Sequence, residues 1–460
     1  MTAKDTIAAI STAMGHAGIG IIKLSGPMAI KGSLHFFKKK NNTPLLENHI
    51  ISHQMIHGWV VAPDTQKIID EVLWVCMKKP HSYTGEDVAE IHTHGSYVVL
   101  QLILDHLLTV PEIRLATPGE FTRRACLNGR MDLTHAEAIK DIISAQTPKA
   151  LQMTSAHLDG RFHNLITQLR KNIFNTFTRI EASIDFPEDL GDDAPFEIQL
   201  KPDIDDINQL IASYDQTAIY REGVRVVIVG RPNVGKSSLL NCLLAKDRAI
   251  VSQMPGTTRD SIDAKITIEN IPITIYDTAG IHETDDTIEQ QGIHRAKTLI
   301  EQAHLVLFLV ESDKNLLSDD FYVYHAIKDQ TWLLCANKID RVKDKIQIQN
   351  IPETWPPPIS ISARHDIGID RLKKAIVNSL IIQCSGVQDS EFMINLRQKK
   401  CLVLAKNYLE QARTAFIDNM PLDCVAIDIR LALDALGEIT GAVYHEQILD
   451  EIFSSFCIGK

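Results

Sequence analysis

The chain has 460 residues, 45% of them apolar and 23% charged, with a formal net charge of −11. That length calls for two to four domains, and the acidic balance excludes a protein that coats nucleic acid non-specifically, so RNA contact would need a local basic patch or a basic partner. No apolar run approaches the ~20 residues of a spanning helix, and the start MTAKDTIAAISTAMG lacks a secretory signal pattern.

The eight cysteines, Cys76, Cys126, Cys242, Cys335, Cys384, Cys401, Cys424 and Cys457, form no C-x-x-C pair. That argues against a zinc site or a disulfide framework and predicts a cytoplasmic protein; with no spanning apolar run, no stable membrane association is expected.

In chain order, residues 1–118 alternate β-like runs (GIGIIKLSG, MIHGWVVA, DEVLWVCMKK) with Gly, Pro and Asn breaks, and one apolar helical run, SYVVLQLILDHLL. The pattern predicts a small α/β domain. Within it, Lys38-Lys39-Lys40 reads as a solvated loop. From 119 to 218 the spacing turns helical: Phe162, Leu165, Ile166, Leu169, Ile173, Phe177, Ile180 and Ile184 step by three or four, one stripe of a long helix. The acidic DFPEDLGDDAPFE that follows reads as a linker.

Residues 219–380 alternate buried-strand runs (VRVVIVG, ITIYDTAG, LVLFLVES, TWLLCANKID, PPISISA) with helical patterns, the signature of a doubly wound parallel sheet. Residues 381–460 are helical again, with stripes at Leu404, Tyr408, Ala412 and at Val425, Ile429, Leu433, Leu436, Ile439. The economical topology is a helical domain into which the α/β domain is inserted.

The inserted segment carries G-x-x-x-x-G-K-S at Gly230–Ser237, between a strand run and a helix run. Backbone N–H groups of Asn233, Val234, Gly235, Lys236, Ser237 and Ser238 can cradle phosphate, Lys236 can reach the β and γ phosphates, and Ser237 can ligate Mg²⁺. DTAG places Asp277 at the Mg²⁺ shell and Thr278, Ala279 and Gly280 near the γ-phosphate. In NKID, Asp340 can accept from N1–H and the exocyclic amine of guanine while Asn337 and Lys338 brace the loop. Ser362, Ala363 and Arg364 add a backbone contact to the base. In this order the set specifies a GTPase.

Ile281 follows DTAG where Ras-type enzymes place a water-orienting Gln. Another group must then position water and neutralise charge. Asn233 and the loop GTTRD (256–260) could hold a monovalent cation there, Thr258 is the natural switch threonine on Mg²⁺, and Glu289 is a candidate to orient water.

GTTRD, the hydrophobic residue after DTAG, the block TPGEFTRRACLNGRMDLTHAEAI (117–139) and the terminal CIGK together resemble the MnmE (TrmE) family of tRNA modification GTPases, over essentially the whole chain. The resemblance implies a multidomain α/β plus α protein: an N-terminal folate-binding-like domain through which a homodimer forms, a helical domain, and an inserted Ras-like P-loop GTPase domain. It implies K⁺-stimulated GTP hydrolysis and a flavoprotein partner of the MnmG (GidA) type in a heterotetramer. Together they would add an aminomethyl or carboxymethylaminomethyl group to C5 of a tRNA wobble uridine, from 5-formyl- or methylene-tetrahydrofolate. Carried onto this sequence, K⁺ is held by Asn233, Ser252, Met254 and Thr257, and Gln253, Pro255 and Gly256 complete the loop around cation and nucleotide. Ser237 and Thr258 take Mg²⁺, and Glu289 orients water. The folate positions are Lys23, Glu90, Arg130 and Lys460.

The chain departs from the family at His16 and Lys23, where Arg is common, at Ser96 in a Gly-Gly pair, at Cys126 in place of an aromatic, and at His282. In the tail FSSFCIGK, Cys457 has the literal spacing of a prenylation box, but Lys460 is a poor terminal residue for it. The family places this tail at the folate-like pocket, which leaves Cys457 as a nucleophile or as a packing residue. Arg123, Arg124 and Arg130 could meet tRNA phosphate or form an ion-paired helix face. The competing readings are a ribosome-assembly or signalling GTPase, expected to carry a basic C-terminal RNA module, and a dynamin-like membrane GTPase, expected to carry a lipidated or basic amphipathic segment.

Overall fold

Half-buried strands of period two build one sheet, strands buried on both faces build another, and helices fill the rest. The structure, a computed structural model, describes residues 5–39, 50–186, 198–247, 263–277, 296–342, 348, 351–383, 391–443 and 446–460. The chain divides into two compact units: Met1–Lys140 with Gly160–Ala194 and Met420–Lys460, and Asp141–Asp159 with Pro195–Asn419.

In the first unit, β1 (Thr6–Ile10), β2 (Ala17–Ser25), β3 (Phe37–Lys38), β4 (Ile56–Val61), β5 (Ile68–Met77), β6 (Val88–Gly95) and β7 (Ile113–Leu115) form one sheet in the order β3-β4-β5-β6-β2-β1-β7. All pairs are antiparallel except β1 with β7. Alternation sets the faces: Val72, Trp74 and Cys76 of β5 lie in a core with Ile30, Leu100, Ile103 and Leu107 of the covering helices Ala29–Leu34 and Tyr97–Leu107, while Leu73 is exposed. Trp74 satisfies its indole N–H on Ser33 Oγ at 2.9 Å.

The helix Arg161–Asp185 packs against Leu422–Thr440. Of its expected stripe, Phe162, Ile166, Leu169, Ile173 and Ile180 are buried, whereas Leu165 is exposed and Phe177 and Ile184 are half-buried. Leu165 and Phe177 lie at the two edges of the stripe, and Ile184 lies in the last turn of the helix.

In the second unit, β8 (Val224–Val229), β9 (Asp263–Ile268), β10 (Ile271–Asp277), β11 (Leu305–Glu311), β12 (Trp332–Asn337) and β13 (Ile359–Ser360) stand in the order β13-β12-β11-β8-β10-β9. The sheet is parallel except for β9 against β10. Strand β11 is buried along its whole length, as expected for a strand covered on both faces. This is the Ras-like doubly wound architecture. The helices Lys201–Arg221 and Leu396–Ile417, which flank these strands in sequence, pack on each other.

Helix Leu396–Ile417 starts at a capping box, with Asn395 Oδ1 accepting from Gln398 N at 2.9 Å and Gln398 Oε1 from Asn395 N at 3.1 Å. Its buried face is Leu402, Ala405, Leu409 and Ala412, not the expected Leu404 and Tyr408; Leu404 is exposed. The helix is apolar on more than one side, and only one of these faces is covered. No helix among the described residues is long and apolar enough to cross a membrane.

Candidate functional site: a nucleotide cradle and a lysine–carboxylate cluster

Strand β8 delivers the chain to the phosphate loop. Gly230, at φ 149°, is the hinge, and a Cβ there would lie 2.5 Å from the Leu309 carbonyl. Asn233 takes φ 64° and Gly235 φ 101°, where a Cβ would run into the Asn337 amide. The loop is therefore pressed against the base-recognition loop, and only glycine fits. Lys236 opens the helix Lys236–Asp247 and is 8% exposed. Its ammonium donates to the Gly230 and Arg231 carbonyls at 2.9 and 3.0 Å. Burial lowers its pKa, and Asp277 opposes the fall. Two of its three protons hold the loop, and one is left for phosphate.

Ser237 Oγ donates to Asp277 Oδ2 at 2.7 Å, and Asp277 Oδ1 is buried with no partner among the described residues. A hydroxyl beside an orphaned carboxylate oxygen is a donor set that suits a hard cation and its water shell.

Asn337 ties three loops together. It is 2% exposed, donates to the Val234 carbonyl at 2.8 Å and accepts from Ala363 N at 3.0 Å. Lys338, at φ 67°, donates to the Asn233 carbonyl at 2.7 Å and pairs with Glu311. Asp340 accepts from Ser362 Oγ at 2.5 Å; that bond, aided by His365 and Arg341, holds its carboxyl below the usual range, so it is charged and exposed to meet a base. Arg364 is exposed beside it in sequence.

Two supports escaped the sequence reading. Glu311, 5% exposed at the end of β11, binds both Lys338 and Lys314. Arg231 Nε donates to the fully buried Asp320 at 2.7 Å, fixing the carbonyl that Lys236 uses. A lone carboxylate closing the apolar run LVLFLVE was the available signal for the first. Ser252, Gln253, Met254, Pro255, Gly256, Thr257, Thr258, Thr278, Ala279, Gly280 and Glu289 lie outside the described residues.

In the first unit, Lys23 of β2 stands opposite Glu90 of β6 in register. Its ammonium lies 4.1 Å from the centre of the Tyr83 ring and 5.3 Å from that of Phe121. Burial brings its pKa down to about 8, with Glu90 opposing the fall and Lys460 adding to it. Lys23, Glu90 and Lys460 thus share one electrostatic neighbourhood. Arg130 Nε donates to the Ser82 carbonyl, next to Tyr83, at 3.0 Å.

The tail is held by backbone. The Lys460 carbonyl accepts from Phe121 N at 3.2 Å, the Cys457 carbonyl from Gly119 N at 3.4 Å, and the Gly459 carbonyl from Ser11 Oγ at 3.3 Å. The Cys457 side chain is exposed.

Of the three clustered arginines, Arg123 and Arg124 are ion-paired, and Arg130 meets no carboxylate among the described residues. Arg124 is buried and bonds Asp5, Glu86 and Glu120, Arg123 lies 3.1 Å from Asp450, and Glu120 falls to a pKa of about 2, burial pushing up against the stronger pull of Arg114, Thr117 and Arg124.

The family description "GTP-binding protein TrmE N-terminus" matches residues 6–130, and "MnmE helical domain" matches 133–457. A protein of Carboxydothermus hydrogenoformans named tRNA modification GTPase MnmE is 42% identical over 462 residues, covering 99% of this chain and 100% of its own. One of the same name from Syntrophus aciditrophicus is 42% identical over 463 residues, with the same coverage. The solved structure of Era in complex with MgGDPNP and a 16S ribosomal RNA segment covers 40% of this chain and 66% of its own at 28% identity and a TM-score of 0.30. With two family descriptions spanning nearly the whole chain and full-length relatives at this identity, the chain belongs to the MnmE (TrmE) family of tRNA modification GTPases.

Proposed function

We propose that this chain hydrolyses GTP to GDP and phosphate as part of tRNA wobble-uridine modification in the cytoplasm. The observation that carries the nucleotide half is the Asn337 amide, which locks the phosphate loop, the base loop and the Ala363 backbone into one cradle. Asp340 selects guanine, Lys236 binds the β and γ phosphates, and loop N–H groups orient them for in-line attack by water. Mg²⁺ would be held by Ser237 and Thr258 with Asp277 in its water shell, and would supply charge neutralisation at the phosphates. K⁺ would be held by Asn233, Ser252, Met254 and Thr257, and would supply positive charge where an arginine finger otherwise acts. Glu289 would orient the water.

The modification half rests on family membership and on the lysine–carboxylate cluster. Glu90 can pair with an aminopyrimidine edge, and Lys23, Arg130 and Lys460 with a carboxylate tail, so the residues present fit a tetrahydrofolate derivative. The chain then acts as a homodimer with an MnmG-type flavoprotein, and the pair places an aminomethyl or carboxymethylaminomethyl group on C5 of the uridine. GTP turnover in KCl against NaCl tests the cation role: faster turnover in KCl that disappears in Asn233→Ala is expected, and equal rates in the two salts would overturn it. Mass spectrometry of wobble nucleosides in cells lacking the gene tests the rest, and unaltered nucleosides would remove the assignment.

A further inference from the structure

A groove of about 520 Å³ runs along the first unit between the helix Arg161–Asp185 and the end of Leu422–Thr440. His163, Thr167, Arg170, Lys171 and Phe174 line one side, and Thr440 the other. Residues 167, 170, 171 and 174 are three and four apart, so they share one helix face. Arg170 has one edge fixed, its Nε donating to the Leu433 carbonyl at 3.2 Å, and among the described residues neither it nor Lys171 meets a carboxylate. Phe174 is 53% exposed, its ring tilted against Phe177 at 6.2 Å between centroids. His163 also lines the groove; its Nδ1 lies 3.1 Å from Asp132 Oδ2 without making a hydrogen bond.

Two cations that meet no carboxylate among the described residues sit next to each other in the groove lining, on a chain of net charge −11. Beside them lies an exposed ring one helical turn away, in a groove of the size that takes a small ligand, about 300–1,000 Å³. Cation plus exposed aromatic is the pairing that binds single-stranded RNA: phosphate on the guanidinium and ammonium, a base on the ring. An acidic peptide would satisfy the charges and leave the ring without a planar partner. We propose that this groove binds one nucleotide of a single-stranded RNA segment, phosphate on Arg170 and Lys171 and base on Phe174. The inference rests on the tRNA reading above and assigns it a contact surface.

The test is fluorescence anisotropy with the full chain, a labelled hairpin RNA whose loop is single-stranded, and a fully paired RNA of equal length. Lys171 and Phe174 point outward, so Lys171→Glu and Phe174→Ala should fold, melt and turn over GTP as the unsubstituted chain does. Lys171→Glu is expected to weaken loop binding about tenfold and to flatten the salt dependence by about one counterion. Phe174→Ala is expected to weaken loop binding about tenfold and to leave duplex binding unchanged. Unaltered affinity and salt slope in both variants would overturn the proposal, and this is also what an acidic protein occupant would give. If the unsubstituted chain binds neither RNA, the tRNA reading fails with it; if it binds and both variants match it, the groove alone fails.

Discussion

Lys338 spans the two halves of the nucleotide site: its ammonium donates to the Asn233 carbonyl of the phosphate loop at 2.7 Å while pairing with the buried carboxylate of Glu311. Glu311 therefore holds the lysine that holds the loop. Removing the carboxylate leaves Lys338 without its counter-charge, and breaking a pair of this kind costs about 2 kcal/mol or more. Glu311→Ala is expected to weaken GDP binding roughly 30-fold, read by titration with a fluorescent GDP analogue. Wild-type affinity would show that Asn337 alone sets the loop geometry.

Asp340 carries a charged carboxylate fixed by Ser362, which in the proposed function accepts from the two donors of the guanine edge. Asp340→Asn replaces one acceptor with a donor, which clashes with the guanine amine and matches the 2-carbonyl of xanthine. Leaving paired polar groups unmatched is expected to raise KM for GTP about a hundredfold and to make XTP the better substrate. Retained GTP preference would mean that the base is read elsewhere.

The phosphate and base loops were legible because each is a contiguous string whose residue types follow from backbone conformation: Gly230 and Gly235 need left-handed φ, and Lys236 must open a helix. The doubly wound sheet was legible from uninterrupted apolar strands. The buried face of Leu396–Ile417 was not, since periodicity says that a helix has a core side and not which of two apolar sides it is. Nor was the tail legible in detail. Ser11 and Gly459 are 448 residues apart, and no local pattern encodes such a contact. Of the carboxylates around Arg124, Glu120 lies four residues upstream on the same helix, within reach of a local rule, whereas Asp5 and Glu86 are distant in sequence and needed the fold.

Cys457 contributes its carbonyl to Gly119 N, while its thiol is exposed. Its side chain is therefore dispensable for packing, and Cys457→Ser should change stability by no more than about 0.5 kcal/mol. If the thiol does chemistry, wobble-nucleoside modification falls sharply in this variant while the melting temperature and GTP turnover stay at wild-type values. Full modification by the serine variant would reduce Cys457 to a backbone role.

Lys23 should give the protein a stability that rises with pH. Its pKa is about 8 in the fold against an ordinary 10.5, because burial disfavours the ammonium. Between these values the unfolded chain holds more protons than the folded one, so unfolding free energy increases with pH across that window. Below about 8 both states are protonated and the full cost of burying charge is present; above about 10.5 neither is, and the cost is gone. The span is worth on the order of 2–3 kcal/mol, allowing for water that still reaches the half-buried amine. Lys23→Met removes the charge and keeps an apolar stem between Tyr83 and Phe121. It is expected to melt higher than the unsubstituted chain at pH 7.5 and to lose that advantage progressively toward pH 10. Because every other titrating group is present in both proteins, the difference between their melting curves reports Lys23 together with its coupling to Glu90 and Lys460. A difference that stays flat with pH would mean that Glu90 compensates the ammonium fully.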